Sequence, residues 1–100
     1  MMSSIQDRLK SKNPYSVTRG IVACIGANYT DSYVVDELKR IAESDKRVVA
    51  GLCVSDLAVV ALHLTGTVEY TGDDATILDL IKAGSQQPWI QECTRQVLES

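Results

Sequence analysis

The chain has 100 residues and a formal net charge of −3; 45% of its residues are hydrophobic and 23% are charged. This composition excludes a wholly disordered protein, and the length predicts a single domain over residues 1–100, with one core and no need of disulfides. No apolar run approaches the length of a membrane span, and the first residues lack the apolar stretch of a secretory leader. The expected location is therefore the cytoplasm, away from membranes.

The N-terminal segment is basic. Residues 1–20 carry a net charge of +3, whereas residues 48–100 carry a net charge of −5. Ile5 and Leu9 would share one helical face, which predicts either a short weak helix or a weakly ordered basic arm over residues 1–12 that docks through these two side chains. The charge asymmetry is typical of a basic arm or a polar oligomer interface, although few charges are involved and chance also produces it.

The next segment has a strong helix start, because Asn13 can cap a helix and Pro14 suits its first position. We predict a helix over residues 14–26, with Gly26 providing the left-handed stop. Apolar residues recur at helical spacing in this segment and predict its buried face: Val17, Ile21, Cys24 and Ile25.

A second helix is predicted over residues 31–44, capped by Thr30 or Asp31. Asp36 and Arg40 stand four residues apart in the favourable order for a weak ion pair. The opposite face is apolar and predicts the side that meets the core: Val34, Leu38, Ile41 and Ala42.

The apolar run over residues 48–54 fits either a short strand or the approach to another helix. Ser55 is a predicted N-cap, and residues 57–64 are apolar on nearly every side, so we expect this central helix to be the most buried segment. Residues 67–71 alternate like a strand. The prediction is therefore at most one two-stranded ribbon, pairing residues 47–52 with residues 67–71.

Two helices are predicted to complete the chain. Asp73 should cap a helix that ends at Gly84, and Pro88 should open the last one, with Trp89 and Cys93 on its apolar side. The expected fold is mainly α, a single compact bundle of about five or six short helices.

The sequence shows no sign of a catalytic, metal or cofactor site. The cysteines, Cys24, Cys53 and Cys93, lie far apart in apolar surroundings, which predicts three buried, reduced thiols. With His63, the only histidine, they make a formal Cys₃His set, but structural zinc sites bring ligands in close pairs. A Cys–His nucleophile would also need an orienting group and an oxyanion hole. A small enzyme with a Cys/His site is therefore the third hypothesis, and the sequence assigns no role to His63.

Residues 14–44 also have the outline of a helix–turn–helix, which makes a winged-helix or helix–turn–helix regulator the alternative hypothesis. Its nucleic-acid-binding residues would be the basic ones near the end of the second helix: Lys39, Arg40, Lys46 and Arg47. These residues equally complement the helix dipole. Asp31, Asp36 and Glu37 would repel phosphates from the reading helix, so nucleic-acid binding is not expected.

The leading hypothesis is a non-enzymatic protein-binding module: an adaptor, an inhibitor or a self-associating unit. A small globular chain without site chemistry acts through its surface, and aromatic residues carry much of the binding energy at interfaces. The candidate contact residues are Tyr29, Tyr33 and Trp89. The predicted partner is another protein or a second copy of this chain.

Overall fold

The computed structural model describes residues 2–99, and the fold over these residues is a mainly α bundle with one short ribbon, as predicted. The elements are α1 (Met2–Leu9), α2 (Pro14–Ala27), α3 (Ser32–Ser44), β1 (Val48–Val49), β2 (Leu52–Cys53), α4 (Val54–Leu64), α5 (Ala75–Ala83) and α6 (Pro88–Glu99). None of the described helices has the length and apolar character that crossing a bilayer requires.

The starts of α2 and α3 lie where the capping residues predict them. The Asn13 side chain accepts a hydrogen bond from the Tyr15 N–H at 2.9 Å, and the Asp31 side chain accepts one from the Tyr33 N–H at 3.0 Å. Each cap satisfies a backbone donor that has no partner inside its helix. Local chemistry therefore fixes both helix starts.

The predicted stop at Gly26 is wrong, because α2 continues through this residue. The helix is capped instead by Asn28, which adopts the left-handed conformation with φ of +50° that asparagine tolerates better than most residues. Gly26 faces α6: a Cβ atom added at Gly26 would lie 1.9 Å from Oγ1 and 2.8 Å from Cβ of Thr94. This glycine therefore permits the close approach of two helices.

The ribbon exists, but its predicted partner is wrong. Val48 pairs with Cys53 and Val49 with Leu52 in an antiparallel hairpin. The two residues between the strands, Ala50 and Gly51, both have positive φ, as the tight hairpin turns that match strand twist require. Residues 67–71 form an irregular loop instead. Pairing with a strand that follows a two-residue turn costs far less chain entropy than pairing with a distant strand.

Two predicted caps are displaced by one or two positions. α4 begins at Val54 after Cys53, whose side chain makes no capping hydrogen bond, and Ser55 is buried within the first turn. α5 is capped by Asp74 rather than Asp73, since the Asp74 side chain accepts hydrogen bonds from two backbone N–H groups of α5. Asp73 and Asp74 are adjacent and have equal capping strength, so the sequence alone cannot separate them.

The core lies around α2 and α4, which pack against each other. α2 also packs on α1 and α6, and α4 packs on α3 and α5. From α1, Ile5 and Leu9 are fully buried. Every residue from 20 to 25 is buried, whereas three residues of α4 between 57 and 64 are only half-buried. The prediction that residues 57–64 are the most buried segment is wrong, because part of α4 faces an open groove.

Candidate functional site

An open groove of about 500 Å³ lies between α3, α4 and the loop of residues 65–74 that joins α4 to α5. This volume falls within the range of ligand-binding clefts, about 300–1,000 Å³. Its apolar lining consists of Ala42, Val59, Leu62, Val68 and Tyr70. Three exposed charged side chains stand at its edge: Lys39, Glu43 and Glu69.

The loop that forms one wall of this groove is held in place by hydrogen bonds to α4. The N–H groups of Thr67 and Val68 donate to the Leu62 carbonyl at 2.9 and 3.1 Å. The N–H of Tyr70 donates to Nδ1 of His63 at 2.9 Å. His63, which had no role from sequence, anchors the groove wall.

Tyr70 continues the wall towards α5. Its hydroxyl accepts a hydrogen bond from the Asp74 N–H at 3.1 Å, and Asp74 in turn caps α5. Gly72 lies against the Tyr70 ring, where an added Cβ would come within 2.4 Å of the hydroxyl oxygen. The wall is thus a defined structure whose backbone is fixed at several points.

The charges at the edge of the groove form no ion pairs with the residues that the structure describes. Among residues 2–99, the ion pairs are those of Arg40, Arg47 and Arg95 with nearby carboxylates. Glu43 and Glu69 are not among them, and neither is Lys39. The groove therefore offers two exposed carboxylates and one ammonium group to an incoming molecule.

The aromatic residues predicted as protein contacts lie elsewhere. Tyr33 and Trp89 are exposed by 40% and 43%, whereas Tyr29 is half-buried against the core. The Lys10 ammonium stands 4.5 Å from the centre of the Tyr33 ring, and the Trp89 indole N–H donates to the Gln87 side chain at 3.0 Å. None of the three aromatic side chains lines the groove.

Two of the predicted nucleic-acid contacts are engaged within the protein. Arg40 forms an ion pair with Glu37 at 2.7 Å, not with Asp36 as the helix spacing suggested. Arg47 pairs with Asp45 at 2.6 Å and donates to the Lys12 carbonyl at 2.7 Å. The hydrogen bond from Arg47 lowers the pKa of the Asp45 carboxyl. Part of the donor capacity of both guanidinium groups is therefore already used within the protein.

The other two predicted nucleic-acid contacts, Lys46 and Lys39, lie in different surroundings. The Lys46 ammonium lies 3.4 Å from the Ser55 hydroxyl, and Lys39 stands at the edge of the groove. α2 and α3 are consecutive but make almost no contact, because α4 packs against both. Residues 14–44 therefore form two consecutive helices that pack mainly on other elements rather than on each other.

The three thiols differ in environment, so the prediction that all are buried holds only for Cys24. Burial raises the pKa of Cys24 to about 12. Cys53 is half-buried with its sulfur 3.1 Å from the Ser55 hydroxyl oxygen, and Cys93 is also half-buried. Cys53 and His63 lie at opposite ends of α4, roughly 15 Å apart at 1.5 Å per residue, and do not form a nucleophilic pair.

These environments predict the order in which the thiols react. With an alkylating reagent at neutral pH, Cys53 and Cys93 of the native protein should be modified slowly, and Cys24 should remain unmodified because both its burial and its raised pKa oppose thiolate formation. Mass spectrometry of peptides should show modification of all three cysteines once the chain is denatured. Native labelling of Cys24 at the rate of Cys53 would show that α2 is not buried as described.

Sequence reasoning missed the groove although its residues carried a signal. The apolar pattern predicts core positions for Val59 and Leu62, and Leu62 is indeed buried. The pattern does not show that Val59 meets a cleft, because an apolar helix face looks the same in either setting. Val68 and Tyr70 alternate with polar residues, a pattern assigned to a strand; both instead line the groove.

Known chemistry and known proteins add no further assignment. In the part of the chain that the structure describes, no group of three or more His, Cys, Asp and Glu side chains is arranged to hold a metal ion. Cys53 and His63 do not come together either, as described above. Comparison with known proteins finds no family model, no curated protein sequence and no solved structure that matches this chain.

Proposed function

We propose that this chain is a non-enzymatic protein-binding module and that the groove between α3, α4 and the 65–74 loop is its binding site. The observation that carries the proposal is the groove itself, an apolar cleft with unpaired charges at its edge. The apolar lining would supply affinity through burial, at about 25 cal/mol per Å² of apolar surface removed from water. An adaptor, an inhibitor or a self-associating protein could each use such a site.

The walls favour binding because little of the groove has to become ordered. The loop is already hydrogen-bonded to α4 through Leu62 and His63, and Val59 is carried on the helix itself. A site that is formed before binding avoids the conformational entropy that a mobile loop loses on association. Less of the free energy gained from the apolar contacts is then lost to ordering the binding site.

The charges predict the chemistry of the partner segment. Glu43 and Glu69 are exposed carboxylates without ion-pair partners among the described residues, so a Lys or Arg side chain would complement them. The apolar lining requires an aliphatic or aromatic side chain beside that cation. We therefore propose a short segment of another protein that places an apolar residue next to a basic one.

A display library of random peptides, selected on the purified chain, tests this proposal. The expected enriched peptides combine an apolar residue with Lys or Arg, and their addition should shift the NMR signals of Val59 and Leu62. Val59→Glu should weaken binding at least about tenfold, because it places a charge in the apolar lining. Val48→Glu is the matched control, since Val48 is 65% exposed on the ribbon and does not line the groove.

Two results would contradict the proposal. One is an equal loss of affinity in both variants, and the other is peptide-induced shifts confined to residues outside the groove. The nucleic-acid alternative is tested by titration with duplex and single-stranded DNA at two salt concentrations. No binding at physiological salt is expected. Binding that falls steeply with salt, and that charge reversal abolishes at Lys39, Arg40, Lys46 and Arg47, would establish the regulator hypothesis instead.

A further inference from the structure

Two arginines on another face of the bundle have no carboxylate partner among the described residues. Arg8 lies on α1, and its Nε is buried without any hydrogen-bond acceptor. Arg19 lies on α2, and its Nη2 donates at 2.9 Å to the side-chain oxygen of Gln96, a neutral group on α6. Neither guanidinium takes part in the ion pairs found between residues 2 and 99.

The packing of three helices brings these arginines to the same region. α1 packs on α2, and both pack on α6. The Cβ of Arg8 lies 3.0 Å from the position that a Cβ on Gly20 would occupy, which places the start of its side chain directly against α2. Burial raises the pKa of the Cys93 thiol, while the positive charges of Arg19 and Arg8 both lower it. Cys93 lies on α6, the helix against which both α1 and α2 pack.

One donor of this arrangement lacks an acceptor. The Nε of Arg8 is buried without a hydrogen-bond partner and so keeps its desolvation cost. One oxyanion between the guanidinium groups would accept hydrogen bonds from both and would neutralise part of their charge. The planar guanidinium matches the spacing of the oxygens in carboxylates and phosphates.

We propose that Arg8 and Arg19, at the junction of α1, α2 and α6, form a binding site for an oxyanion, a carboxylate or a phosphate group. Gln96 orients Arg19 through their hydrogen bond. The site is independent of the groove, since none of its residues lines that cleft. An anionic group of a bound molecule or of another protein could therefore occupy it whether or not the groove is occupied.

Titration of the full chain with inorganic phosphate tests the site, with chloride used to hold the ionic strength constant. The expected result is saturable NMR shifts of the Arg8 and Arg19 Nε–H signals and of the Gln96 side-chain amide. A parallel titration with acetate distinguishes a phosphate site from a carboxylate site. Arg8→Gln and Arg19→Gln should each weaken binding at least tenfold. Arg40→Gln is the control, because Arg40 already pairs with Glu37, and should leave the affinity unchanged.

A second measurement keeps the test decisive if an arginine variant folds poorly. An anion bound near Cys93 would offset the two positive charges, so saturating phosphate should slow alkylation of Cys93 in the unmodified protein and leave that of Cys53 unchanged. The proposal is overturned if the Arg8, Arg19 and Arg40 signals shift equally and without saturation, or if phosphate leaves the ratio of the Cys93 and Cys53 rates unchanged. Loss of groove binding would not affect either readout.

Discussion

Replacing Gly26 by alanine is expected to lower the free energy of unfolding by about 1–3 kcal/mol, the usual cost of overpacking a tight interior. The added Cβ would lie 1.9 Å from the Thr94 hydroxyl oxygen and 2.8 Å from its Cβ, so rotation of the Thr94 side chain alone cannot remove the contact. α2 and α6 would have to separate. Alanine is the better helix former by about 0.5–1 kcal/mol, but this gain is smaller than the cost of the clash.

Gly20→Ala is the matched control for this prediction. It lies on the same helix and gains the same propensity, but its Cβ would meet Arg8 Cβ at 3.0 Å and Leu9 Cδ2 at 3.3 Å, contacts that a small shift relieves. Urea denaturation followed by circular dichroism measures both variants. Equal losses of unfolding free energy in Gly20→Ala and Gly26→Ala would contradict the interpretation that Gly26 permits the close packing of α2 and α6. Adding Thr94→Ala to Gly26→Ala should recover part of the loss, because it removes the closest atom.

The second large effect is expected from Leu57→Ala, which should cost about 2–5 kcal/mol, as truncation of a deeply buried leucine does. Leu57 is 2% exposed and lies on α4, which packs against α2, α3 and α5. Fixed helices on several sides prevent the cavity from collapsing. Since small domains are stable by about 5–15 kcal/mol in total, the variant should unfold at a much lower urea concentration.

Leu78→Ala provides the comparison, because Leu78 on α5 is 42% exposed. The same truncation there leaves no closed cavity, and we expect a loss below about 1 kcal/mol. The urea midpoint of each variant gives its loss of unfolding free energy. This requires that the dependence of the unfolding free energy on urea is the same in both variants. Equal losses at Leu57 and Leu78 would mean that α4 is not the centre of the packing.

Features set by neighbouring residues could be predicted from the sequence. Asn13 and Asp31 cap the helices that follow them, and Pro88 opens the last helix. Each of these is a contact between groups only a few positions apart, so the capping chemistry alone specifies it. The mainly α fold follows from the apolar periodicity of the same segments.

Features set by distant residues could not be predicted in the same way. The function of Gly26 depends on Thr94, and a sequence gives no indication of which helix will pack there. The predicted pairing of the ribbon failed for a related reason. The alternation around Val68 and Tyr70 resembles a strand, but β1 pairs with β2 in a local hairpin instead. The groove is formed jointly by α3, α4 and the 65–74 loop. No local sequence pattern indicates that these three segments lie together.

The contact between α2 and α6 also has a consequence for the order of folding. The Thr94 hydroxyl reaches the carbonyl of Val22, a residue 72 positions away in the sequence, whereas α1–α2 and α3–α4 are contacts between consecutive helices. Closing the longest loop costs the most chain entropy, so short-range helix pairs gain their contacts earlier. We therefore expect α6 to dock onto α2 after the rate-limiting step of folding. Substitutions at this contact would shorten the lifetime of the native state and leave the refolding rate nearly unchanged.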